Sequence, residues 1–179
     1  FQIINITKPL RYTLSGFFIE KWDKMKYSRL TKEQFEELHQ EFINFLATQS
    51  VTADEWANLK VNKPELAETE LDVFSDLIWE GVLNKAEYLE HISAQHMYLF
   101  NLGEEKMHAI VINLKNDVDI TTTEGYNWLR ENLMDDNVEF LHADKEYTED
   151  KNLDKFKMIE EGAVITKGDL YKYFDTLIN

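Results

Sequence analysis

Between Pro64 and Leu83 the hydrophobic residues recur with a helical period. At 100° per residue, Leu66, Leu71, Val73, Phe74, Leu77, Ile78 and Val82 fill about half of a helical wheel. Glu65, Glu68, Asp72, Asp76 and Glu80 fill the other half. Pro64 stands at the first helical position, where a missing N–H costs nothing. The spacing predicts one long helix, and so wide an apolar face predicts contact with two neighbours, as in a central helix. Trp79 and Leu83 depart from the pattern. They lie four residues apart on the acidic side and make an apolar spot there. Two arrangements are open: the following Lys85–Ile92 segment folds over the spot, or Trp79 and Leu83 stay exposed as an anchor for a protein partner, a role in which tryptophan is enriched.

Capping signals place the other helices. LTKEQF (30–35) sets Thr31 as N-cap, Gln34 three residues on, and Leu30 against Phe35 as a hydrophobic staple. VTADEW (51–56) repeats the pattern with Thr52, Glu55, Val51 and Trp56, and ITKGDL (165–170) with Thr166, Asp169, Ile165 and Leu170. Thr121 with Glu124 is a fourth case, with Gly125 where the staple residue belongs. These starts predict helices over Lys32–Gln49, Ala53–Val61, Thr122–Met134 and Lys167–Ile178. Two more are predicted over Lys85–Ile92 and Asp150–Glu161, the latter closed by Gly162 at its C-terminal cap. Capping accounts for these threonines without a functional role.

After Ile92 the period changes. MYLFNL (97–102) and MHAIVINL (107–114) are rich in β-formers and flank the glycine-bearing turn GEEK (103–106), which predicts a hairpin. VEFLH (138–142) is a third strand. The fold class is α+β: a mostly helical single domain over residues 25–179, packed on a small, mainly antiparallel sheet.

Charge narrows the partners. The chain carries −15, which argues against nucleic-acid backbone, since that needs lysine and arginine to displace counterions. It argues equally against an anionic membrane surface, and no stretch reaches the length of a membrane span. Basic protein partners remain compatible. The absence of cysteine removes any disulfide framework or thiolate zinc site and suits a reducing, cytoplasmic compartment. The first 24 residues differ: Lys8, Arg11, Lys21 and Lys24 outnumber Glu20 and Asp23, while everything after is strongly acidic. Phe1 opens the chain and Met25 precedes the first strong helix start, so residues 1–24 read as a non-native or misassigned extension.

Histidines are the remaining source of chemistry. Glu36 and His39 carry the Glu-x-x-His spacing of carboxylate-bridged metal bundles on a predicted helix, but no second helix repeats it. Glu105/His108 and Glu139/His142 share the spacing in predicted strands, where residues three apart face opposite ways. Glu87 and His91, four apart on a predicted helix, form a second candidate metal clip. Solvated or half-buried side chains explain all four candidates, and no cofactor is implied. Pairing through GEEK places Asn101 opposite His108 as a hydrogen-bond partner. No nucleophile elbow, phosphate loop, dinucleotide fingerprint or H-E-x-x-H occurs.

KYSRLTKEQFEELH (26–39), FLATQSVTADEW (45–56), ELDVFSDLIWEGVL (70–83), LFNLGEEKMH (99–108) and EDKNLDKFKMIEEGAVITKGDLYKYFD (149–175) resemble a family of small acidic proteins from Bacteroidota classed as a domain of unknown function. The resemblance covers Met25 to Asn179. It implies no activity and no site residues. The function expected from the residues is a non-enzymatic cytoplasmic accessory protein that binds another protein. The alternatives are a small metal-dependent or carboxylate–histidine enzyme, and an acidic mimic of nucleic acid.

Overall fold

In the computed structural model, which describes residues 25–178, Thr31 and Thr52 each open a helix through a complete capping box. The threonine hydroxyl accepts from the N–H of Gln34 or Glu55, and that residue's side chain accepts from the threonine N–H. Each cap contributes about 1 kcal/mol. The helices are α1 (Lys32–Glu37), α2 (His39–Thr48), α3 (Ala53–Asn62) and α4 (Pro64–Lys85). The single helix expected over 32–49 is therefore two. Leu38 leaves helical dihedrals, although Leu38 N–H still reaches the Gln34 carbonyl and Phe42 N–H the Leu38 carbonyl. The break costs little in hydrogen bonds.

The chain divides between Val82 and Leu83 into two compact units. In the first, Phe74 of α4 is the hub, 1% exposed. Phe42 meets it edge-on at 5.1 Å, with Phe45 at 5.4 Å and Phe35 at 5.8 Å, and Trp56 meets Phe42 edge-on at 5.3 Å. Edge-to-face and tilted pairs at this spacing suit the ring quadrupole. The apolar face of α4 is less fully buried than its width suggested, with Leu77 and Val82 partly exposed and Ser75 fully buried. Ser75 is tolerated because its hydroxyl donates to the Leu71 carbonyl and accepts from Leu30 N–H.

The opposite face of α4 holds an unexpected partner. Glu68, Asp72, Asp76 and Glu80 form an i, i+4 row of like charge, which alone is destabilising. The segment 26–30 offsets it with two cations and neutral N–H and O–H donors. Asp76 accepts from the N–H groups of Lys26 and Tyr27 at 2.8 and 2.9 Å. Glu80 takes the Tyr27 hydroxyl and the Lys26 ammonium, while Arg29 spans Asp72 and Glu68.

The second unit is built on a five-stranded antiparallel sheet: β1 (Tyr88–Ile92), β2 (His96–Leu102), β3 (Lys106–Leu114), β4 (Val138–Glu146) and β5 (Val164–Thr166), in the order β4-β3-β2-β1-β5. Helices α5 (Thr123–Glu131), α6 (Lys151–Glu160) and α7 (Asp169–Ile178) complete it. The hairpin of 97–114 forms with the expected register, Asn101 opposite His108. The Lys85–Ile92 helix does not form. YLEHI is instead a strand paired on both sides, with Leu89 fully buried. In so short a segment, helical and strand periods fit equally, and two neighbouring strands decide the outcome. β5 was also not anticipated. It takes Thr166 out of the expected cap: the hydroxyl donates to Glu90 and accepts from Gly168 N–H. For α5 the cap is Thr122, one residue beyond Thr121. Gly125 is required there because a Cβ would lie 1.8 Å from the Asp119 carbonyl. Gly162 closes α6 as expected, at φ +104°, with Ala163 N–H bonded to the Met158 carbonyl.

Candidate functional site

Alternation along the strands divides the sheet of the second unit into two faces. On one face Met97, Leu99, Ile110 and Ile112 are buried under α5 and α7 with Leu129, Tyr171 and Phe174. On the other, α6 covers only one end. Leu89, Leu102 and Met107 pack there with Ala86 and Ala163, flanked by Tyr147, Met158 and Ile159.

Three polar anchors hold α6 at that end. Lys155 is 2% exposed, and its ammonium donates to the carbonyls of Leu83 and Ala86 at 2.7 and 2.9 Å, satisfying groups at the end of α4. Burial, then the neighbouring Lys151 charge, pull its pKa below the usual lysine range. Asn152 donates to the Asn84 side chain at 2.9 Å. Lys151 and the Tyr147 hydroxyl both donate to the Gly103 carbonyl, tying α6 to the β2–β3 turn. Burial and the Asp154 charge push the Tyr147 phenol up to about 12.

Past the covered end, with Phe100, Met158 and Glu161 at its margin, the face is open. Register sets Phe100, Ala109 and Ala143 in one row, and His91, Tyr98, Val111 and Leu141 in the next. The rings of His96, Tyr98 and Phe100 stack along β2, with interplanar angles of 8–9°. The two alanines, a residue type depleted in strands, leave a depression between neighbours of greater height. It has a volume of about 290 Å³ and is lined by Phe100, Met107, Ala109, Ala143, Asp144, Lys145, Met158 and Glu161. Leu141 beside it is 49% exposed, and Ile165 at the other edge 42%. The groove thus has a small-residue floor, flexible methionine walls and a charged rim.

The residues singled out by sequence lie elsewhere. Leu83 is 0% exposed, so it offers no surface to a partner, and the expected Trp79–Leu83 spot is not an open patch. Trp79 is half-buried, and its indole N–H donates to the Ser28 carbonyl at 3.0 Å. The indole's hydrogen-bond partner thus lies on the N-terminal side of α1. Glu36 and His39 fall on either side of the Leu38 break; both are exposed, and Glu36 faces Lys32 at 3.7 Å. Glu87 and His91 lose their helical proximity, since residues four apart along extended chain are separated by about 13 Å. Among the described residues no group of three or more histidine and carboxylate side chains is placed to hold a metal. His108 bonds to Asp144 at 2.6 Å rather than to Asn101, which donates to the Tyr88 hydroxyl. Asp144 is shared with Lys106 at 2.5 Å; these two donors hold its carboxyl below the usual carboxylate range. This exposed cluster ties β3 to β4. The groove had one legible signal, the paired alanines, which become informative only once the register is known.

Comparison with known proteins places the chain without assigning it an activity. A family of unknown function (DUF6495) matches residues 25–179. No curated protein matches the chain, and no solved structure matches it. The match spans most of the sequence, so the chain belongs to this family. No helix among the described residues is long and apolar enough to cross a membrane. The extension read into residues 1–24 lies outside the described residues.

Proposed function

For this member of the family we propose a non-enzymatic role: it binds a cytoplasmic protein partner through the open face of its sheet. The partner inserts an apolar side chain into the groove over Ala109 and Ala143 and presents lysine or arginine beside it. The observation that carries this reading is the groove itself, about 290 Å³ with an apolar floor, lying next to exposed Leu141 on a half-covered sheet face. Exposed apolar surface adjoining a cavity is a feature of interaction sites. Methionine walls adapt to different inserted side chains. Charge supports a basic partner through the chain as a whole, which carries −15; at the rim Glu161 stands with Lys145. A cytoplasmic setting is consistent with the lack of cysteine.

The test uses a displayed library of random peptides selected on the full chain, followed by methyl spectra of the protein with the enriched peptides. Enrichment of an apolar residue flanked by lysine or arginine is expected, with the largest shifts at the methyls of Ala109, Ala143, Met107 and Met158. Enriched peptides that move methyls elsewhere, or no enrichment, would overturn the assignment.

A further inference from the structure

β4 ends the sheet. Over nine residues, Val138–Glu146, it pairs with β3 on one side, and no strand among the described residues pairs with the other. Residues 141–146 are all exposed. A long strand with an unpaired row of N–H and C=O groups is a template for another strand, and proteins usually blunt such edges with charge. β4 does carry charges, at Glu139, Asp144, Lys145 and Glu146. Their order matters more than their number.

We infer that β4 pairs antiparallel with β4 of a second copy, about a two-fold axis at His142. The axis follows from length: the register that uses all nine residues puts His142 opposite itself, Val138 opposite Glu146 and Leu141 opposite Ala143. The same register sets Glu139 opposite Lys145 on both sides of the axis. Both residues lie on the open face, in phase with Leu141 and Ala143, so each copy offers an acid where the other offers a base. Opposite charges directly across antiparallel strands stabilise, and like charges destabilise.

Neighbouring registers lose these features. Centring the axis on Leu141 leaves Glu139 against Ala143 and brings Asp136 against Glu146. Centring it on Ala143 sets Leu141 against Lys145 and asks Asp144, already shared by Lys106 and His108, to serve His142 as well. Length and charge therefore select the same arrangement. In it the exposed Leu141 packs against Ala143 of the second copy, and the row His91–Tyr98–Val111–Leu141 continues into a ten-stranded sheet. Glu139 already meets Lys115 at 3.5 Å and Asn113 at 3.3 Å within its own chain, so it would sit between two cations. An edge-to-edge contact is small for a protein interface. Net charge also opposes association over distances that salt screens. The dimer is accordingly weak, with a dissociation constant in the micromolar range. The inference rests on the edge and charges of β4 and not on the groove's ligand, although Ala143 and Lys145 belong to both surfaces.

Sedimentation equilibrium on the full chain at physiological salt tests it with two single variants, Lys145→Glu and Glu139→Lys. Each alone creates two like-charge pairs across the axis, and each is expected to weaken self-association by about tenfold or more. Mixed one to one they regain opposite charges at both positions, and the mixture is expected to dimerise about as well as the wild type. A wild type that stays monomeric to submillimolar concentration would overturn the inference. So would single variants that self-associate unchanged, or a mixture no better than its components. Because the mixture contains only the two variants, its recovery also shows that both are folded.

Discussion

The two faces of the sheet share strands and differ in what covers them. Beneath α5 and α7, Met97, Leu99, Ile110 and Ile112 of β2 and β3 are 0–1% exposed. On the reverse face the intervening residues of the same strands, Tyr98, Phe100, Ala109 and Val111, are only half-buried, because α6 is ten residues long and stays at one end. The open face is nonetheless rich in rings and aliphatic side chains. A strand exposed only to water has no need of His96, Tyr98 and Phe100 stacked in sequence. The difference separates residues that hold the fold from residues available for contact.

Truncation should separate the two faces most visibly. Leu99→Ala removes a side chain from the closed face, and is expected to cost about 2–5 kcal/mol in urea unfolding, since transfer and cavity terms add. Tyr98→Ala, its neighbour on the open face, should cost about 1 kcal/mol or less. Equal losses would mean that the open face is also packed. A smaller effect is expected at the covered end of that face. Lys155→Met keeps the stem but removes the buried donor to the Ala86 carbonyl and leaves that of Leu83 with only the Ala86 N–H at 3.3 Å, and should cost about 2 kcal/mol.

The smallest effect is in pH. Burial raises the Tyr147 phenol from its ordinary value of 10.0 to about 12. A raised folded pKa gives stability that is complete below the unfolded value. It is therefore present below about pH 10 and lost as pH rises through about 12. Tyrosinate absorbance should show one late-ionising tyrosine fewer in Tyr147→Phe, and the alkaline loss of stability should shrink with it.

The sequence made some of this legible and hid the rest for physical reasons. Thr31 with Gln34 and Thr52 with Glu55 could be read because a capping box is local: both partners lie within four residues. Gly162 was legible for the same reason. The α4 helix and the register of Asn101 with His108 followed from periodicity and turn position. YLEHI was misassigned because five residues cannot distinguish the two periods, and its strand state depends on β2 and β5 together. The acid row Glu68, Asp72, Asp76 and Glu80 did carry a signal, since four like charges at i+4 spacing call for a counter-charge. Nothing local identified residues 26–30 as its source. The paired alanines did not point to the groove by themselves, because Phe100, Ala109 and Ala143 belong to three strands and meet only through register.

On the proposed reading the groove over Ala109 receives a partner's side chain. This is tested most directly by titrating the best peptide from the library into wild type and Ala109→Trp, where the indole fills the groove from its floor. At least about tenfold weaker binding by the variant is expected, with the thermal midpoint little changed. Equal affinity in the two proteins would contradict it.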